Sequence, residues 1–476
     1  MAETYRGTIY VDGEWQRSAG HGDIEITAAA TGSVIGSVPA GHADDVDRAV
    51  SAARAAFESW AATDLSTRLE LLGRFTKELE ERGDELAELI STEVGTPIKV
   101  SKMVQVGTPL RVLRSFPDLL PGMPLEERVG ESLVISEPIG VVAAITAWNF
   151  PLQQVVDKAA AALATGCTVV CKPSEVAPLS AFVVADILHQ IGLPPGVFNL
   201  VTGTGAAVGE PLVAHKNVDM VTFTGSTAVG RRVGAVAAET VKKVTLELGG
   251  KSANIVLHDA DLTQAVKVGI ANCFTNSGQT CTALTRMLVP QDRLLETEDL
   301  VRERLRRYRL GDPLDPDTTL GPLATAAQRD RVLAYIRRGI EEGAVLIEGG
   351  VEPPDGVPGG YFLRPTAFRA RPDMSVAAEE IFGPVLSVIP YDSEDDAVRI
   401  ANDSIYGLAG AVWSGDPDRA LRVARRLRTG AVDINGSYFN PLAPFGGYRQ
   451  SGAGRELGTH GLAEFFELKS VQGAVS

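Results

Sequence analysis

Val141-Val142-Ala143-Ala144-Ile145-Thr146-Ala147, Thr168-Val169-Val170-Cys171, Val197-Phe198-Asn199-Leu200-Val201, Met220-Val221-Thr222-Phe223-Thr224 and Val244-Thr245-Leu246-Glu247-Leu248 succeed one another between residues 141 and 248. Each is a short apolar run carrying β-branched residues, and Ala-rich helical segments separate them. Runs apolar on both faces, spaced by helices, predict a parallel sheet covered on both sides, an α/β fold.

Working outward, a second alternating region starts near residue 252 and continues to about 450, with strand-like segments at Met287–Pro290, Val385–Pro390, Gly410–Trp413 and Ala431–Ile434. Toward the amino terminus, residues 43–95 read as helical. Leu69, Leu72, Phe75 and Leu79 recur at three- and four-residue spacings with charged residues between them, which marks one buried face. A break rich in Pro and Gly follows around Pro117-Asp118-Leu119-Leu120-Pro121-Gly122. The tail, Phe465–Val471, reads as a strand after a Gly-rich loop. With the hairpin-like Ser132–Glu137 it is a candidate for pairing with a neighbouring subunit. A chain of 476 residues exceeds one ordinary core, so two or more lobes are expected.

The totals exclude some functions. A formal charge of −15 argues against nucleic-acid or anionic-membrane partners, which need clustered Lys and Arg. Four cysteines in so long a chain are no disulfide framework and fit a reducing compartment. Cys167 and Cys171 lie in an apolar run without a matching pair, and Cys273 sits on a helical stretch, so all three read as core residues. The six histidines show no i, i+4 pair, and no metal site is expected. Met1–Tyr5 lacks the basic and apolar regions of a signal peptide, and no apolar run reaches membrane-spanning length. The expected location is the cytoplasm.

One cysteine stands apart. Cys281 lies in Ser277-Gly278-Gln279-Thr280-Cys281-Thr282, a polar turn after a helical stretch. A thiol there is reachable by substrate and is a strong nucleophile, but at an ordinary pKa of about 8.5 something must take its proton. Glu247, flanked by leucines at a strand end, suits general-base work through partial desolvation, though a strand-end Glu is also simply exposed in many proteins. Asn149, in Trp148-Asn149-Phe150-Pro151, offers N–H donors to a developing oxyanion or merely caps the helix beginning at Pro151.

Nucleotide signals accompany these residues. Gly203–Gly209 mimics a glycine-rich fingerprint, but its third glycine comes one position late and it follows the third strand, so it reads as a loop and helix start. In Phe223-Thr224-Gly225-Ser226, a strand gives way to a helix. Gly225 and Ser226 then present free N–H groups and the positive helix end to a phosphate, or make a plain turn. Lys172 and Glu175, after a strand stopped by Pro173, fall at the sheet edge where α/β proteins bind nucleotides, or form a solvated charged turn. A carboxylate there accepts from ribose hydroxyls and repels a 2′-phosphate, favouring NAD over NADP.

Taken together, Trp-Asn-Phe-Pro, Lys-Pro-Ser-Glu, Phe-Thr-Gly-Ser-Thr, Glu-Leu-Gly-Gly-Lys, Gly-Gln-Thr-Cys, Glu-Glu-Ile-Phe-Gly-Pro (379–384) and Pro-Phe-Gly-Gly-Tyr-Arg (444–449) occur in the order of the aldehyde dehydrogenase superfamily, which this chain resembles from end to end. The resemblance implies a Rossmann-like NAD-binding domain (1–120 and 139–249), an α/β catalytic domain (250–450) and a small β oligomerisation arm (121–138 and 451–476), assembled as a homodimer or homotetramer. It implies Cys281 as nucleophile, Asn149 and the Cys281 N–H as oxyanion donors, Glu247 as general base, and Lys158 with Glu456 as a proton relay. Trp148, Lys172, Glu175, Gly205, Gly225, Ser226, Gly230, Leu248, Glu380 and Phe382 would contact NAD, with NADP as a tolerated substitute.

Glu247 further implies a free acid product, because CoA-acylating relatives generally lack that base. Loss of Cys281 or Glu247 would have signalled a non-catalytic member, and the nucleotide motifs argue against a cofactor-free thiol esterase. Phe150, Phe439 and Phe445 fall where the family lines its substrate tunnel and imply an apolar aliphatic or aromatic aldehyde. Gln154 and Asp157, polar at nearby positions, could read a hydroxyl, or Asp157 could disfavour anionic substrates such as semialdehydes, or simply pair with a neighbour outside the tunnel. A semialdehyde or a polar or hydroxy-aldehyde is the alternative substrate. No arginine is legible as a carboxylate clamp.

Overall fold

A computed structural model describes residues 7–357 and 359–474. Met1–Tyr5 and the last two residues of the segment assigned to the arm lie outside the described residues. An eight-stranded sheet has as its centre five parallel strands, ordered Phe198–Leu200, Thr168–Lys172, Val141–Ile145, Met220–Thr224, Lys243–Glu247. Val141–Ile145 and Thr168–Lys172 are buried at every position, as runs without alternation require. Helices including Ala43–Ala61 cover one face and Leu179–Gln190 the other, and two separate apolar clusters fill the layers.

The strand order carries the functional consequence. The chain steps from Val141–Ile145 to one side for its next two strands, then returns to its other side for Met220–Thr224. Between the carboxyl ends of these two neighbours lies a topological switch point, where open α/β sheets form their ligand crevice.

The edges hold what the apolar runs did not reveal. Thr8–Val11 and Glu14–Arg17 extend the sheet antiparallel beyond Phe198–Leu200. Gly452–Ala453, a pair within the tail segment, closes the opposite edge against Lys243–Glu247. A second, seven-stranded sheet runs Val345–Glu348, Thr366–Arg369, Val385–Tyr391, Arg286–Pro290, Ala253–Val256, Gly410–Trp413, Asp433–Ile434, parallel except for its first pair. The tail strand Phe466–Gln472 pairs antiparallel with Ser132–Pro138 of its own chain, which also forms a hairpin with Glu126–Val129.

The helical reading of residues 43–95 resolves into Ala43–Ala61, Leu65–Glu81 and Gly83–Val94, with Leu72, Phe75 and Leu79 buried and Leu69 partly so. The expected break at Pro117 needs correction. The helix Gly107–Leu119 runs through that proline and ends in a tight turn at Leu120–Gly122. Burial of Val112, Leu113 and Phe116 holds this stretch helical despite the missing donor. Among the described residues no helix is long and apolar enough to cross a membrane.

Candidate active site

Two cavities meet at Cys281. One, of about 160 Å³, opens at the switch point between Trp148–Asn149 and Thr224–Ser226 and is closed by Leu248, Glu380 and Phe382. The other, of about 620 Å³, leads outward past Phe150, Gln154, Asp157, Phe439 and Phe445 to Met103 and Tyr438. Cys281 is the one partly exposed cysteine; Cys167, Cys171 and Cys273 are buried. A single sulfur is therefore addressable from a crevice at the sheet edge and from an aromatic channel.

The turn presenting Cys281 is strained and heavily tied. Asn276, Ser277 and Gly278 all have left-handed backbone, at φ 53°, 56° and 75°. Such geometry persists only where the surroundings enforce it. Ser277 Oγ donates to the Gly321 carbonyl at 2.8 Å, and Gln279 Oε1 accepts from the Ala324 amide at 2.9 Å. Gly250 lies so close that a side chain there would strike the Cys281 carbonyl.

Asn149 is held in the same net. Its Nδ2 donates to the Gln279 carbonyl at 3.0 Å, while its own carbonyl accepts from Gln105 Nε2 and Asn276 Nδ2, each at 2.8 Å. The helix beginning at Pro151 takes no cap from Asn149. One amide hydrogen fixes the side chain, and Asn149 shares the wall of the smaller cavity with Cys281. Gln105, Thr96 and Asn276 are positioning residues that the sequence did not reveal. Thr96 Oγ1 joins them by donating to Asn276 Oδ1 at 2.5 Å.

Glu247 is buried, and its Oε2 has no hydrogen-bond partner among the described residues. Burial first, and then the charge of Glu456, hold its pKa well above the ordinary carboxylate range, partly offset by Lys158 and Arg455. Lys158, fully buried, forms an ion pair with Glu456 and also donates to Thr224 Oγ1 at 2.7 Å and Gln154 Oε1 at 3.3 Å. The Cys281 thiol is pushed up to about 12 by burial and then by Glu247 and Glu380. At neutral pH the resting sulfur is a thiol, so attack needs a base, and the carboxylate acting on it most strongly is Glu247.

The smaller cavity has its own scaffold. The Gly250 amide donates to Glu380 Oε1 at 3.0 Å, and a side chain at Gly249 would collide with the same carboxylate. The helix Ala326–Glu341 fixes the loop that precedes Val385–Tyr391: Arg331 donates to the Glu380 carbonyl at 2.8 Å and Gln328 to the Phe382 carbonyl at 2.7 Å. Phe382 carries a left-handed φ of 62° and meets Trp148 edge to face at 5.5 Å. Gln328 and Arg331 are further wall residues that no local sequence signal marked.

One expectation is corrected here. The Gly225 amide is not free for a phosphate, because it donates to the Glu247 carbonyl at 3.1 Å. Ser226 caps the helix Thr227–Ala238 by accepting from the Val229 amide, and this helix start lies on the cavity wall at Ser226. Lys172, Glu175, Gly205 and Gly230 are not on this wall. Lys172 is buried at its strand end, 3.5 Å from the half-exposed Glu175 and beneath Gly209, so this pair and Gly205 extend the same sheet edge outward. Gly230 packs on Leu248, where a side chain would not fit.

In the larger channel the Phe439 and Phe445 rings meet at 6.1 Å. Asp157 lines this wall and is buried. Exposed Arg111 also lies on this wall and donates to Thr108 Oγ1 at 2.9 Å. Helix spacing alone did not show which face of Gly107–Leu119 turns toward Cys281.

Known proteins resemble this chain along almost its whole length. The aldehyde dehydrogenase family model matches residues 15–471. A 3-succinoylsemialdehyde-pyridine dehydrogenase from a Pseudomonas species is 49% identical over 467 residues, 98% of each chain. The solved structure of an aldehyde dehydrogenase C variant from Pseudomonas syringae, in complex with NAD+ and octanal, matches with a TM-score of 0.98 and 46% identity, covering 99% of this chain and 98% of that one. A Mycobacterium tuberculosis aldehyde dehydrogenase complexed with NAD+ matches with a TM-score of 0.96, 42% identity and 98% coverage of both.

Proposed function

We propose, from the premise that this chain belongs to the aldehyde dehydrogenase family, that it oxidises an aldehyde to the free carboxylic acid with NAD+ as acceptor. The observation that carries the reading is Cys281 at the junction of the switch-point crevice and the aromatic channel. The crevice fits a dinucleotide. It has a helix start for phosphate, Glu380 held by the Gly250 amide over a glycine that leaves room, and the Lys172–Glu175 pair farther along the same edge for a ribose. NAD+ supplies, when bound, the acceptor for the hydride leaving the substrate carbon.

The residues divide the remaining work. Glu247 takes the proton from Cys281, and the sulfur attacks the aldehyde carbon. The free N–H of Asn149 and the Cys281 amide hold the oxyanion. Once the carbon is oxidised, a thioester remains on Cys281. The Lys158–Glu456 pair passes the thiol proton outward, which frees Glu247 to deprotonate the water that cleaves the thioester. Cys281 leaves as thiolate, and the second proton follows the first. Residues 1–120 and 139–249 hold the cofactor, 250–450 carry the nucleophile, and 121–138 with 451–476 form the arm of a homodimer or homotetramer.

The substrate reading is an aliphatic or aromatic aldehyde entering past Phe439 and Phe445. A semialdehyde is the second reading, favoured by Arg111, a wall cation with no acidic partner among the described residues. NADH formation across a panel of neutral and ω-carboxylated aldehydes, with NAD+ and NADP+ in parallel, tests all of this. Turnover with NAD+ and a lower KM for neutral aldehydes is expected. A lower KM for the carboxylated ones selects the second reading, a lower KM for NADP+ overturns the cofactor choice, and no turnover with any aldehyde overturns the function.

The electrostatics give a signed prediction. The Glu456 carboxylate disfavours ionisation of both Glu247 and Cys281. In Glu456→Gln that negative charge is gone, so both groups ionise more easily. The acidic limb of the kcat–pH profile should move to lower pH by about one unit. A limb that stays put or moves upward contradicts this coupling.

A further inference from the structure

We propose that Asp157 reads the substrate: its carboxylic acid donates a hydrogen bond to an acceptor atom, a carbonyl oxygen or ring nitrogen, that the aldehyde carries away from its reacting end. The proposal rests on the aldehyde-oxidising reading above and deepens it. Asp157 is 5% exposed and lines the channel that ends at Cys281. Its Oδ1 finds no hydrogen-bond partner among the described residues. A buried polar atom left unsatisfied by the fold is costly and points to a partner that arrives from outside.

The obvious internal partner is already engaged. Lys158, the next residue, gives its ammonium to Glu456, Thr224 and Gln154, not to Asp157. Burial and the Glu456 charge favour the protonated acid, with Lys158 and a Gln153 hydrogen bond as smaller opposing influences. A protonated carboxyl is a donor, whereas an ionised one only accepts. Gln154 adds a second donor on the same wall, since its carbonyl is taken by Lys158 and its amide N–H group remains. The channel is thus aromatic where Phe150, Phe439 and Phe445 lie and donating along this stretch. That pattern suits a chain interrupted by one acceptor better than a plain hydrocarbon. Sites built to bond a polar group reject analogues lacking it far more strongly than apolar pockets reject a size change.

The test pairs each straight-chain aldehyde with the aldehyde of equal length carrying one keto group, walked along the chain. In the wild-type enzyme one position should raise kcat/KM over the plain aldehyde by at least about tenfold. Asp157→Leu should bring that ratio close to one. Asp157→Asn keeps an N–H donor and should retain most of the preference. Equal kcat/KM at every position in the wild type, or an unchanged ratio in Asp157→Leu, overturns the proposal while leaving aldehyde oxidation intact. If Asp157→Leu does not fold, the wild-type pairs and Asp157→Asn decide, and loss of the preference in Asp157→Asn overturns it. Inactivity of the wild type toward every aldehyde instead overturns the underlying reading.

Discussion

Cys281→Ala protein should form no measurable NADH from aldehyde, a loss on the order of 10⁵-fold in kcat, because nothing else at the junction of the two cavities is a nucleophile. The other three cysteines are buried and line neither cavity. No second sulfur can stand in. Alanine fits where the thiol was, and the turn is held by Ser277, Gln279 and Asn276, so the fold should survive. Retained NAD+ binding, read by fluorescence quenching of the protein, separates lost chemistry from lost structure. A variant with more than about one-hundredth of the wild-type rate would place the nucleophile elsewhere.

Glu247→Gln should show a different kinetic shape. Aldehyde oxidation passes through two stages on Cys281, and Glu247 serves the second as the base for water. The amide keeps the size of the side chain but cannot accept a proton. A burst of NADH approaching one equivalent per site should appear, slower than in the wild type because the thiol also loses its base. Steady turnover should then fall by about 10²- to 10⁴-fold. The raised pKa of Glu247 adds a check in the unmodified enzyme. An acid whose pKa is raised becomes an effective base only as pH rises toward that value, so kcat should climb from neutral toward alkaline pH. Full steady turnover in Glu247→Gln would remove this residue from the mechanism.

How much of this was legible in the chain depends on the range of each interaction. The five parallel strands were readable within a residue or two because burial on both faces leaves a continuous apolar run. Their order was not readable, and it is the order that makes the crevice. Glu14–Arg17 escaped notice because it is exposed or half-buried along its length and shows no such run. Cys281, Asn149 and Glu247 could be picked out by local chemistry, yet the net that aims Asn149 draws on Thr96, Gln105 and Asn276, spread over 180 residues. Sequence spacing cannot signal contacts of that reach. Gly225 shows the opposite failure: a local motif suggested a free amide that the neighbouring strand had already bonded. Asp157 lay undecided between channel and ion pair until the partners of Lys158 were known.

Rapid quench of Glu247→Gln mixed with aldehyde and NAD+, followed by mass spectrometry of the peptide containing Cys281, examines the acylated sulfur itself. The expected result is a mass increase equal to the acyl group on Cys281, in step with the NADH burst. NADH formed while Cys281 stays unmodified at every quench time would contradict the mechanism.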